Sequence, residues 1–97
     1  MTVLNPKDTS LEVFITRTEA YLDNVVEHGD DQALFIASYL QGHFAVAAGQ
    51  SQVRQMTHLD ELAKLMDDSL TSAFDNNELI DNDKQQVIKL WQLLLES

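Results

Sequence analysis

The longest uncharged stretch of this chain is its strongest constraint on the fold. Residues 32–53 contain no Lys, Arg, Asp or Glu, although 23% of the whole chain is charged. This run of 22 residues is long enough to cross a bilayer, which takes about 20 apolar residues. Polar side chains, which are costly in lipid, interrupt it at Gln32, Ser38, Gln41, His43 and Gln50. The sequence therefore predicts a central helix buried against other helices, and not a membrane span.

Apolar residues elsewhere in the chain recur at three- and four-residue spacing, which is typical of amphipathic helices. This spacing predicts four helices, over about residues 8–27, 31–49, 57–74 and 82–95. The predicted connections are short, and amphipathic helices joined in this way bury their apolar stripes against one another. We therefore predict an all-α fold, a small up-and-down four-helix bundle that forms a single domain over residues 1–97.

Polar residues and glycine mark the ends of these helices. Gly29 is expected to end the first helix in the left-handed conformation, which glycine adopts without a Cβ clash. Asp30 and Asp31 are suited to cap the second helix by accepting hydrogen bonds from its free N–H groups. Thr57 and Asp60 have the spacing of a capping box and are expected to begin the third.

Small residues lie along one side of the second helix. Ser38, Gly42, Ala45 and Gly49 follow one another at intervals of four, three and four residues. Glycine inside a helix costs about 1 kcal/mol relative to alanine, and close packing against a neighbouring backbone can offset that cost. We therefore expect another helix of the bundle to pack closely against Gly42.

The composition excludes several classes of function. The chain has 16 acidic and 6 basic residues, a net charge of −10, and no cysteine. Disulfide scaffolds, thiolate nucleophiles and cysteine-ligated metals are therefore excluded. The negative charge repels nucleic-acid phosphates and anionic lipid headgroups, so neither nucleic acid nor membrane is an expected partner. No secretory signal pattern is present at the N-terminus, and the expected location is the cytoplasm.

Side chains suited to catalysis or metal binding do not form a recognisable pattern. There is no His pair at i, i+4, no Glu-x-x-His and no glycine-rich phosphate loop. We predict no catalytic residue, no cofactor and no metal ligand, and we expect that the protein is not an enzyme. The alternative function is a helical bundle that binds a small ligand or metal at a site near Tyr39 and His43.

Two features favour a role in protein interaction. Trp91 is the only tryptophan and lies on a helix whose apolar face is wider than a small core needs. Tryptophan is enriched in interface hot spots, although a position in the core is the interpretation favoured for Trp91 itself. The acidic surface could occupy a basic groove on a partner, or serve solubility alone. The leading hypothesis is a non-enzymatic module that binds another protein or a second copy, with Tyr39, Gly42, His43 and Trp91 as candidate residues.

One motif resembles a known family. Leu34-Phe35, three small or apolar residues and then Tyr39-Leu40-Gln41-Gly42-His43 are similar to the second-helix signature of the YfcL-like family of small bacterial proteins. Glu78-Leu79 and Trp91 also match, and the likeness extends from about Leu11 to Trp91. Gln41 stands where the family pattern has Arg, which weakens an anion-binding role for that face. The resemblance implies a compact helical cytosolic protein and brings no activity or cofactor.

Overall fold

The computed structural model describes the backbone of residues 6–96 and the side chains of residues 10–96. Four α-helices make up the fold: α1 (Pro6–His28), α2 (Asp31–Val53), α3 (Leu59–Asp75) and α4 (Asp81–Glu96). No strand occurs within the described range. The predicted all-α four-helix architecture is confirmed, and each helix lies within a few residues of its predicted position.

The second helix is at the centre of the bundle. It packs against each of the other three helices and most extensively against α1. The connections span only residues 29–30, 54–58 and 76–80, so consecutive helices run antiparallel. Gln32, near the start of α2, donates a hydrogen bond to Asp83 near the start of α4, as expected when these two helices run in the same direction. Within the described residues, no helix is long and apolar enough to cross a membrane.

Three aromatic rings form the centre of the core. Phe14 of α1, Phe44 of α2 and Trp91 of α4 pack with ring centroids 6.0–6.2 Å apart in edge-on or tilted geometry. All three side chains are buried. Such arrangements place the positive ring edges near negative ring faces, which adds to the stabilisation from burial. The cluster joins three of the four helices around one point.

The second helix extends beyond its predicted end at residue 49. Gly49 lies within the helix, which continues to Val53 and ends in a left-handed residue, Gln55, with φ 56°. The Met56 N–H donates to the Ser51 carbonyl oxygen at 2.9 Å, the six-to-one hydrogen bond of a Schellman motif. The end is therefore set by backbone hydrogen bonding after the uncharged run, and not by Gly49.

The start of the third helix also differs by one residue from the prediction. The capping box is formed by His58 and Glu61, not by Thr57 and Asp60. The His58 backbone N–H donates to the Glu61 carboxylate at 3.3 Å. The motif type was predicted correctly, but its register was wrong.

The turn between α1 and α2 uses glycine for a different reason from the one predicted. Gly29 does not have a positive φ. A Cβ at this position would lie 2.7 Å from the Val25 carbonyl oxygen and 3.0 Å from the Ala33 Cβ. Crowding at the junction, and not left-handed geometry, therefore requires a residue without a side chain. The predicted cap of α2 is confirmed at Asp30, whose carboxylate accepts from the Ala33 N–H at 2.9 Å.

Candidate functional site

Two predicted site residues, Tyr39 and His43, belong to one polar cluster. Their rings lie on successive turns of α2 with centroids 4.9 Å apart. The Tyr39 hydroxyl donates to the Glu78 carboxylate at 2.9 Å, in the turn between α3 and α4. His43 Nδ1 lies 2.6 Å from the Ser69 hydroxyl oxygen on α3. We call these four residues the Tyr39 cluster, and it joins α2 to α3 and to the following turn.

Similar neutral contacts join α2 to its other neighbours. The Gln41 side chain donates to the Asp23 carboxylate of α1 at 2.6 Å, and Gln32 donates to Asp83 of α4 at 2.9 Å. Both hydrogen bonds are exposed, and in each of them an uncharged amide of α2 donates to a carboxylate on a neighbouring helix. The uncharged helix is therefore a source of neutral donors for the acidic helices and turn around it.

Ser69 was not predicted as a member of the site. It lies three residues after Met66 and one before Leu70, both of which are buried. A serine within the apolar stripe of a helix suggests that its hydroxyl has a hydrogen-bond partner, because buried polar groups are costly without one. That signal was available in the sequence, but it did not identify His43 as the partner.

The environment of Tyr39 changes its ionisation. Burial raises the pKa of Tyr39 from 10.0 to about 12, and the hydrogen bond to Glu78 and the charge of Glu78 act in the same direction. The raised pKa means that the fold favours the neutral hydroxyl over the phenolate. Its contribution to stability is therefore fully present below pH 10 and is lost as the pH rises through about 12.

A pH titration tests this assignment. Between pH 10 and 12 the wild-type protein is expected to lose more stability than Tyr39→Phe, which has no hydroxyl to ionise at this position. Glu78→Gln removes the carboxylate charge and is expected to lower the pKa of Tyr39. Urea denaturation at each pH, with phenolate absorbance followed in parallel, measures both effects. Equal losses in wild type and Tyr39→Phe would contradict the assignment.

The Tyr39 cluster does not provide a set of metal ligands. No group of three or more His, Asp or Glu side chains is arranged to hold a metal ion in the part of the chain that the structure describes. The other two histidines have separate environments, since His28 contacts the Asn24 carbonyl oxygen and His58 contacts Thr57. The cluster consists of hydrogen bonds that connect α2 to α3 and to the following turn. This geometry gives no support to the alternative of a ligand or metal site.

Of the other two predicted site residues, Trp91 fills the core, as one of its two interpretations predicted, and Gly42 is placed differently from what was expected. Trp91 is only 3% exposed and lies in the aromatic core, so it cannot form the docking surface inferred from its residue type. The wide apolar face of α4 is instead exposed at Ile88 and Leu93. No atom of another described segment lies within 4 Å of where a Cβ of Gly42 would be, so none of the described residues of the other helices packs closely against it. The small residues predicted to lie along one side of α2 face outward, and they are Ser38, Gly42, Ala45 and Gly49.

The outward side of α2 forms a continuous exposed surface. We define the outward face by its exposed residues Phe35, Ser38, Gly42, Ala45, Val46, Gly49 and Val53. Val46 is 61% exposed and Val53 is 85% exposed. A groove between α1 and α2 contains Ser38, Gly42 and Ala45 and is bordered on the α1 side by the acidic residues Glu19 and Asp23. A second groove continues from Ala45 to Arg54. The face therefore runs along most of the helix, and no residue on it is charged.

Comparison with known proteins places the chain in a family. The family model described as YfcL protein matches residues 12–96. The chain is 28% identical over 83 residues to Uncharacterized protein YfcL of Escherichia coli strain K12, covering 86% of this chain and 90% of that protein. No solved structure matches. The chain belongs to the YfcL family, which confirms the resemblance inferred from the signature of the second helix.

Proposed function

We propose that this YfcL-family protein is a non-enzymatic interaction module of the cytoplasm that binds another protein chain through the outward face of α2. The observation that carries the proposal is the absence of charge from the exposed positions of α2 after its first residue, Asp31. Of the 24 exposed residues between positions 54 and 96, 11 are charged. Of the 11 exposed residues between positions 32 and 53, none is charged.

Burial within the bundle does not account for this difference. An exposed position accepts a charged side chain at little cost. Charged side chains are common in this chain, which has a net charge of −10. The cores of protein interfaces are depleted of charged residues, because a charge that loses its water needs a partner. An uncharged strip along an otherwise acidic surface is the pattern that a binding face requires.

A matched pair of variants tests the role of this face. Val46→Glu places a charge at the centre of the outward face, whereas Val13→Glu makes the same change at a 57% exposed position on α1. Proteins that copurify with the tagged wild type, or a second copy carrying a different tag, are expected to be lost with Val46→Glu and retained with Val13→Glu.

The expected loss follows from the cost of burying an unpaired carboxylate, which is several kcal/mol. Thermal denaturation of both variants controls for folding, because both positions are exposed. Equal binding by the two variants, or equal loss, would contradict the proposed face. A wild type that binds no protein and does not self-associate would contradict the interaction role itself.

A further inference from the structure

The partner that the outward face fits is a second copy of the same chain. We propose that two copies pack antiparallel along α2, with Arg54 of each copy placed against Glu78 of the other. This inference rests on the proposed interaction role of that face and names its partner. Each copy would then supply a cation to the Tyr39 cluster of the other.

The first argument comes from the spacing of the two glycines. Gly42 and Gly49 are separated by seven residues, or about two helical turns, so they lie on the same side of α2. A Cβ added at either position would have no atom of another described segment within 4 Å, so nothing in the part of the chain that the structure describes requires glycine there. Both lower the helix propensity. Close approach of a helix backbone from another chain would explain why both positions are glycine.

An antiparallel copy brings these glycines together. A twofold axis between Ala45 and Val46 places Gly42 of each copy opposite Gly49 of the other, because the two positions are equally far from that axis. Ser38 is then opposite Val53. The same surface serves both copies, which is the form that a twofold interface takes. Because Gly42 and Gly49 have no side chains, the two helices can approach closely at both positions.

The second argument is charge complementarity at the two ends of the antiparallel α2 pair. Arg54 ends the groove along α2 and makes no ion pair with any described residue. In an antiparallel pair it lies opposite position 37 of the other copy, within about one turn of Tyr39. Glu78, the hydrogen-bond acceptor of Tyr39, is exposed and has no basic partner among the described side chains.

The positions of Arg54 and Tyr39 around the axis of α2 are consistent with the proposed ion pair between Arg54 and Glu78. The 100° helical step places Arg54, Tyr39 and His43 on the edge of the outward face that borders α3. Antiparallel twofold packing brings this edge of one helix beside the same edge of the other. Arg54 of each copy therefore reaches Glu78 of the other copy, and the dimer gains two equivalent ion pairs.

Sedimentation of the purified full chain tests the dimer. At 0.15 M salt, which screens the repulsion between two acidic copies beyond about 8 Å, mass is expected to rise from monomer to dimer between about 10 μM and 1 mM. Gly42→Leu is expected to keep the fold, because its position is open, and to abolish the dimer by blocking close approach. Val46→Glu is expected to abolish it as well, whereas Val13→Glu is expected to leave it intact.

A double-mutant cycle tests the ion pair. Arg54→Gln and Glu78→Gln are each expected to weaken the dimer by about four- to twenty-five-fold, since two exposed pairs are lost and each is worth a factor of about two to five. The amide of Glu78→Gln still accepts from Tyr39. The double variant is expected to be no weaker than either single variant. Lys89→Gln, the same charge change on α4, is the control and is expected to leave the dimer unchanged.

The outcomes separate this inference from the proposed function. A wild type that stays monomeric throughout the concentration series overturns the dimer, and so does a dimer that survives Gly42→Leu and Val46→Glu. Independent effects of Arg54→Gln and Glu78→Gln overturn the antiparallel register. If the chain stays monomeric but a different protein is lost only with Val46→Glu, the face is a binding site and only the identity of the partner is wrong.

Discussion

Trp91→Ala is expected to lower the free energy of unfolding by about 3–5 kcal/mol. The indole is 3% exposed, and its ring centroid lies about 6 Å from those of both Phe14 and Phe44. Truncation to alanine leaves a cavity where three helices meet. Because the whole stability of a domain is about 5–15 kcal/mol, the variant is expected to lose a large share of it. Urea denaturation followed by circular dichroism measures the change.

Two further variants show whether the effect comes from the core. Tyr21→Ala removes an aromatic ring that is 43% exposed on α1, and its effect is expected to be within about 0.5 kcal/mol. Trp91→Phe retains a ring and removes the indole N–H, which is buried without a hydrogen-bond partner among the described residues. It is expected to lose less stability than Trp91→Ala. If Trp91→Ala unfolded at the same urea concentration as wild type, the buried position of the indole would be contradicted.

The architecture could be predicted because helix periodicity and capping are local. The Asp30 cap and the four amphipathic stripes depend on residues within a few positions of one another. The end of α2 could not be placed in the same way. It depends on the left-handed conformation of Gln55 and the hydrogen bond from Met56 to Ser51, and no residue type in this segment marks either one.

In the candidate site, too, the local contacts could be predicted from the sequence and the contacts between distant segments could not. Tyr39 and His43 are four residues apart on one helix, so their contact follows from helical geometry. Their partners, Ser69 and Glu78, come from distant segments and are brought close only by packing. For Trp91, the same periodicity fits a core residue and an interface residue, and packing alone distinguishes the two.

The uncharged run shows why one sequence signal can have two causes. Absence of charge predicted burial, and α2 is indeed central, yet half of residues 32–53 are exposed. The inner half is uncharged because it packs against the other helices. The outer half is uncharged although it is exposed, and the proposed binding of a second chain would explain why. The sequence alone did not separate these halves, because small, apolar and uncharged polar residues occur in both.

Glycine substitutions at two positions are expected to change stability in opposite directions. Gly29→Ala is expected to lower the free energy of unfolding by about 1–3 kcal/mol, because its Cβ would lie 2.7 Å from the Val25 carbonyl oxygen. That oxygen belongs to the backbone of α1 and cannot move without displacing the helix end. Gly42→Ala is expected to raise the free energy of unfolding by about 1 kcal/mol, because alanine favours the helix and the site is open.

Urea denaturation at low micromolar protein measures both values on the monomer, below the concentrations at which the proposed dimer forms. Each substitution adds the same methyl group and leaves the charge unchanged, so the opposite signs depend only on the surroundings of each glycine. If Gly29→Ala were neutral, the close contact with Val25 would be contradicted. If Gly42→Ala were destabilising in the monomer, Gly42 would have a packing role within the chain, and the argument that its cost is explained by a second copy would fail.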